Sequence, residues 1–353
     1  MKFTKLLVVT LLGTLLMAGS TMAATKEKEI KNKFDVNKNV HIKISNRYGK
    51  VQIKTWDKDQ AQFRINISVE SKTGEKAKKM LENINVDFTK GSTYINAETI
   101  LGDFFTMRKL GNALFSGGKV NIDYMVTVPS YLKMQIIHKD GDLFMDSHSG
   151  ELNIELSNGE LTAHSFSGDS KIKFRSVKAK IDSLGVSNMD LGKTDLTIVE
   201  ANKIVAESHD SQLNINSVET LSLRSSRDKV AIDQVEFLYG SSSMSKFEVN
   251  MLGDELKYDL KLGHMNIFSI HKLFNFIKVD SKFADLGLNF AKDSYLDFNI
   301  RHKSVKLSYP PKYDLSQKKT SERNTYITSG KYGEGKSVSD VNIRANNCKI
   351  KID

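Results

Sequence analysis

The sequence predicts an all-β protein, a β-solenoid of about nine turns with a β-rich N-terminal cap and one short helix. Three observations carry this. Gly141, Gly150, Gly159 and Gly168 recur at nine-residue intervals. Apolar and polar residues alternate with period two through most of the chain, which is the signature of half-buried strands. No proline occurs between Ser130 and Tyr309, as an internal hydrogen-bonded ladder requires.

From the N-terminus, Lys2 and Lys5 precede the apolar run Leu6 to Ala18, and small residues follow to Ala24. This order is that of a secretory signal peptide spanning 1–24. No cysteine stands there for lipid attachment, and no later stretch is apolar enough to span a bilayer. The expected location is the periplasm, the outer cell surface or the medium.

Residues 25–128 read as a β-rich capping region. "NRYG" joins the strands "VHIKIS" and "VQIKTW" as a hairpin. In Gly74 to Ile84, Ala77, Met80, Leu81 and Ile84 share one helical face. A long insertion, Leu101 to Gly118, breaks the β pattern. Its Phe104, Phe105, Met107, Arg108, Leu110, Leu114 and Phe115 form a candidate binding patch, or else cover the open end of the stack.

Residues 129–309 carry the repeat. Stacked in nines, the chain reads DGDLFMDSH, SGELNIELS, NGELTAHSF, SGDSKIKFR, SVKAKIDSL. The second place is a turn residue, expected to supply positive φ; the fourth and sixth are mostly apolar. Farther on, Ser208, Ser225 and Ser242 lie 17 apart. The second apolar residue of each unit runs Ile154, Ile172, Leu191, Ile215, Ile232, Val249, Ile267, Leu288, Leu307. Its gaps are mostly 17 to 21, with one of 24. Two strands per unit of about 18 residues describe one solenoid turn. "HMNIFSIHKLFNFIKV", with Phe268, Phe274 and Phe276, is expected as a core strand pair. Residues 310–353 read as a polar loop followed by a closing strand, with Cys348 on its buried side.

"SNRYGKVQI", "TWDKDQ", the short helix, "YMVTVP" and the glycine-led turns together resemble the bacterial putative-adhesin domain of unknown function, exported repeat proteins of Bacteroidetes-like bacteria. The resemblance implies a β-solenoid at the cell envelope. It brings no activity and no site residues.

Chemistry is sparse. Cys348 is the single cysteine, so no internal disulfide forms. Asp142, Glu151, Glu160 and Asp169 hold the third place of successive nines, and paired acids serve catalysis or cations. Alternate nines fall on opposite faces, which separates neighbours and favours a solvated edge. The apolar sixth place excludes the calcium-binding nonapeptide pattern. His138, His148, His164, His209, His264, His271 and His302 lack metal-ligand spacing and are expected at surfaces or turns. No catalytic residue, cofactor or metal ligand is assigned. The net charge of +10 is scattered rather than clustered, and no basic arm for nucleic acid exists. The reading is a non-enzymatic, adhesin-like envelope scaffold that binds surface glycans or envelope proteins. The alternatives are a carbohydrate-active β-helix enzyme or a regulatory envelope sensor.

Overall fold

A computed structural model of the chain describes residues 23–102, 105, 118–334 and 338–353. The described residues are nearly all β: nineteen strands and one α-helix, hydrogen-bonded into one long sheet that does not close into a barrel. Among these residues no helix is long and apolar enough to cross a membrane. Residues 1–22 of the expected signal peptide lie outside them.

The repeating unit is a rung. Strand β7 (Lys133–Met145) pairs parallel to β8 (Leu152–Phe166), with Met134 opposite Leu152. β8 pairs with β9 (Ser170–Gly192), Leu152 opposite Ser170. β9 pairs with β10 (Asp195–His209), Lys178 opposite Asp195. β11 (Gln212–Ser226) and β12 (Lys229–Ile270) follow with the same offset of 17 residues. β13 (Phe276–Phe290) follows with an offset of 21, Glu255 opposite Phe276. Each offset equals the chain length between partners, so each rung lies in register on the one before.

Every rung bends at one residue in the left-handed region. Tyr48, Asp140, Asn158, Ser176, Lys193, Asp210, Arg227, Met244, Leu262, Phe283, Ser304 and Asn347 have φ between 51° and 68°. The repeat glycines do not. Positive φ falls instead on the residues before Gly141 and Gly159, namely Asp140 and Asn158, types that tolerate it. Glycine is required for close approach. A Cβ on Gly159 would lie 1.9 Å from the Gly141 carbonyl oxygen, and one on Gly141 would lie 1.9 Å from that of Gly49. Gly150 likewise meets Leu132 O at 2.3 Å and Gly168 meets Ser149 O at 2.5 Å. Glycines 18 apart stack; glycines nine apart belong to opposite sides of a rung.

The inward side chains form one continuous core. After the corner stand Leu143 and Met145, Leu161 and Ala163, Leu196 and Ile198, Leu213 and Ile215, Val230 and Ile232. Before it stand Ile154, Ile172, Met189, Ala206 and Leu223, all buried. Each buried Leu or Ile contributes about 1.5–3 kcal/mol. The expected single run from Ile154 to Leu307 therefore divides. Ile154, Ile172 and Leu191 precede the corner, whereas Ile215 and its successors follow it. The 24-residue gap marks the change of side.

At the N-terminal end, β1 (Ala24–Asp35) lies antiparallel on β3 (Gln60–Ser71), and β3 on β6 (Lys119–Pro129). β6 runs parallel to the second half of β2 (His41–Trp56), which pairs with β7. β5 (Tyr94–Leu101) runs parallel to the first half of β2 and carries β4 (Ile84–Lys90) antiparallel on its other edge. Helix α1 (Gly74–Glu82) is capped by Thr73, whose hydroxyl accepts from the Lys76 N–H, and it buries Ala77 and Met80. Ile84, expected on the helix face, instead begins β4. The outer strand β1 alternates Lys and Glu, which blunts the edge against further pairing.

At the other end, β14 (Leu296–Lys303) and β15 (Lys306–Ser308) do not pair with β13. The last strands, β18 (Ser339–Asn346) and β19 (Lys349–Ile352), lie between them, parallel to both. The segment expected to close the end fills an interior rung. The segment expected as a polar loop does the closing: β17 (Thr325–Tyr332) runs antiparallel on β14, and β16 (Ser316–Lys319) on β17. Tyr313 anchors it. Its ring packs edge-on against Phe298 at 5.2 Å and Tyr332 at 4.6 Å, and its hydroxyl donates to Asp353 O.

Candidate binding groove

The residues just before the corners line a groove of about 750 Å³ along the C-terminal rungs. Strand register places its side chains in two outward rows. One contains Arg224 opposite Ser241, Asp259 opposite Asp280, and Arg344 between Asp280 and Arg301. The other contains Lys261 opposite Lys282, then Asn346 between Lys282 and Lys303. Glu322 and Thr325, from the β16–β17 hairpin, also line it. Neighbouring strands stand about 4.8 Å apart, so the lysines recur at one- and two-rung intervals.

Several cations of the stack meet a carboxylate of a neighbouring rung: Arg227 with Asp210 at 2.6 Å, Arg175 with Asp190 at 2.5 Å, and Lys272 with Asp293 at 3.1 Å. Hydrogen bonds from Arg227 and Lys272 hold the Asp210 and Asp293 carboxyls below their usual range. In the groove, six cationic side chains face three carboxylates. Arg301 pairs with Glu322 at 2.7 Å and Arg224 with Glu207 at 2.5 Å. Among the described residues, Lys261, Lys282, Lys303 and Arg344 have no ion pair. Like charges opposite one another destabilise a sheet, so these positions do not serve stability.

Three successive corners beside the lysine row carry Met244, Leu262 and Phe283, which are 49%, 41% and 56% exposed. Large apolar residues are poorly suited to the left-handed region. Most other corners use Asp, Asn, Ser, Lys or Arg.

Inside the corner runs a buried polar line. Thr194 N–H donates to Ser211 Oγ, Ser211 N–H to Asp228 Oδ1 at 2.8 Å, and Asp228 N–H to Ser245 Oγ. The Asp228 carboxyl also accepts from Ser225 Oγ at 2.7 Å and Ser226 N–H at 3.2 Å. Ser208, Ser225 and Ser242, noted for their spacing, are the inward residues two before each corner. Burial, and secondarily Asp228, raises the Tyr258 hydroxyl well above its ordinary value.

The acids stack as their spacing implies, and Glu160 N–H donates to Asp142 Oδ1 at 3.1 Å. Glu151 pairs with Lys133 instead. Among the described residues, no group of three His, Cys, Asp or Glu is arranged to hold a metal ion.

Three histidines depart from the surface expectation. His138, His148 and His302 are buried. His138 meets the carbonyls of Asn46 and Gly49, His148 Nε2 donates to Leu132 O at 2.8 Å, and His302 Nε2 meets Thr328 Oγ1. Burial lowers all three below the ordinary histidine value. At His138 and His148 an imidazole satisfies backbone carbonyls that an aliphatic side chain would leave bare, whereas His302 meets a side-chain hydroxyl.

Of the candidate patch, Phe105 is buried, and its N–H donates to Gly102 O. Phe104, Met107, Arg108, Leu110, Leu114 and Phe115 lie outside the described residues. In the other singled-out stretch Phe274 is core, while Phe268 is 50% and Leu273 68% exposed. The groove is not visible in the sequence because its unpaired cations, Lys261, Lys282, Lys303 and Arg344, are 21, 21 and 41 residues apart in the chain. Only the strand order, with β18 inserted, brings Arg344 between Asp280 and Arg301.

No family model matches the chain, and no curated protein matches it. Similar solved structures include a putative cell adhesion protein from Clostridium sporogenes ATCC 15579. It is 12% identical, with 93% of this chain and 99% of that one covered at a TM-score of 0.22. A putative adhesin from Bacteroides fragilis NCTC 9343 is 9% identical, with 92% and 97% covered at 0.23. Likeness at this level carries no functional argument.

Proposed function

We propose that the chain is an exported, non-enzymatic scaffold of the cell envelope, wound as a β-solenoid. The groove is the surface with which it holds a glycan or another envelope component. The N-terminal signal sequence supports export. The observation that carries the binding assignment is the set of unpaired cations, Lys261, Lys282, Lys303 and Arg344, gathered in one groove where six cationic side chains face three carboxylates.

One observation favours a second reading. Asp259 and Asp280 sit opposite each other on adjacent strands in the groove, and glycoside hydrolysis uses a pair of carboxyl groups. A glycan array run beside a polysaccharide-cleavage assay separates the two. Binding without turnover is expected. Turnover lost in Asp259→Asn or Asp280→Asn would replace the scaffold with an enzyme.

A further inference from the structure

Resting on the groove as the binding surface, we infer that its ligand is a linear acidic polysaccharide lying along the stack axis. Lys261, Lys282, Lys303 and Arg344 hold its anionic groups, and the ridge of Met244, Leu262 and Phe283 packs on the apolar faces of its sugar rings.

Three independent features point to this class. The first is repetition. The lysines recur along the stacking direction, each displaced by one or two rungs, so they match a ligand whose charges also repeat along a line. A compact anion would engage at most two of them. The second is charge. Four cations without carboxylate partners bind anionic groups at little desolvation cost, because they remain in water, and such contacts supply specificity and on-rate. The third is the ridge. Met244, Leu262 and Phe283 stand at consecutive corners, each one residue from the second row at Ser243, Lys261 and Lys282. They incur both the left-handed backbone penalty and exposure to water. A chain with charged substituents and apolar ring faces contacts row and ridge together. Asp259 and Asp280 lie in the neighbouring row and oppose such a ligand, which gives the proposal a second, opposite-signed test.

The shared chemistry is an anionic linear glycan, whose charge comes from uronate carboxylates or from phosphodiesters. The experiment uses the full mature chain and measures binding by calorimetry to polygalacturonate, a hexose polymer joined by phosphodiesters, neutral dextran and single-stranded DNA, at low and high salt. Polygalacturonate or the phosphodiester-linked polymer should bind well above dextran and DNA, and the stronger of the two identifies the source of charge. High salt should weaken that binding severalfold, as exposed charge contacts require. The triple variant K261Q/K282Q/K303Q should weaken it about tenfold, by the summed worth of exposed pairs. Asp259→Asn with Asp280→Asn should tighten it. Salt dependence of the unaltered chain needs no variant, and all substituted residues lie on the surface. Equal binding of dextran and the acidic glycans, untouched by salt and by the triple variant, overturns the acidic assignment and leaves the scaffold intact. DNA binding at least as tight as either acidic glycan overturns the glycan assignment. Absence of binding to these polymers and to every glycan on the array sinks both readings.

Discussion

Replacing Gly159 with alanine tests the packing argument at its tightest point. The added Cβ would lie 1.9 Å from the Gly141 carbonyl oxygen and 2.7 Å from its carbon. Ordinary contact begins near 3.4 Å, so two rungs must part locally by roughly 1.5 Å. A hydrogen bond stretched by that much is lost. Those at risk include Asn158 Nδ2 to Asp140 at 3.0 Å and Glu160 N–H to Asp142 at 3.1 Å. At about 1 kcal/mol each, with the packing lost around them, the expected destabilisation is about 3 kcal/mol. Backbone preference adds nothing, since Gly159 is not in the left-handed region. Urea denaturation followed by far-ultraviolet dichroism should show a lower midpoint at unchanged slope. A Gly159→Ala protein within 0.5 kcal/mol of the parent would refute close approach as the reason for the glycine repeat.

The remaining expectations concern burial, the corners and pH. His138, His148 and His302 are held neutral, so stability present above about pH 6.5 should fall as pH drops below it. Each contributes up to about 1.4 kcal/mol per pH unit; urea midpoints at pH 7.5, 6.5 and 5.5 check this, and His148→Gln should flatten the slope. Asp228→Asn replaces the oxygen that accepts from Ser225 Oγ and Ser226 N–H with an amide donor and should cost about 3 kcal/mol; a neutral result in the same denaturation assay would deny the buried line its role. Phe283→Asn relieves a bulky left-handed residue and should stabilise by about 1 kcal/mol while weakening glycan binding, a trade between stability and function.

Much of the fold was legible because alternation and spacing are local. The strands, the helix and the stacking of glycines 18 apart followed from short windows of sequence. What failed was long-range. Period-two alternation looks the same on both sides of a corner, so the run from Leu191 to Ile215 crossed from one side to the other unnoticed. The turn residue was sought at glycine, yet Lys193, Arg227 and Phe283 take the same backbone conformation because neighbouring rungs impose it. Tyr313 and Tyr332 were too few in a polar stretch to announce a packed hairpin. The groove was invisible because its rows are assembled by strand order, and nothing local to Arg344 indicates that it will lie beside Asp280. The histidine assignments failed for a related reason: an isolated imidazole carries no sequence mark of whether it turns inward.

The placement of β18 and β19 between β13 and β14 makes assembly of this end wait until Ser339–Ile352 have been synthesised. Until those fourteen residues arrive, two unsatisfied ladders face each other across a vacant slat, each a template for any extended peptide. A chain cut short before Ser339 would carry that opening permanently and recruit the matching tail of an intact sister. Completion of this end therefore follows synthesis of residues 339–352 rather than keeping pace with the rungs before it.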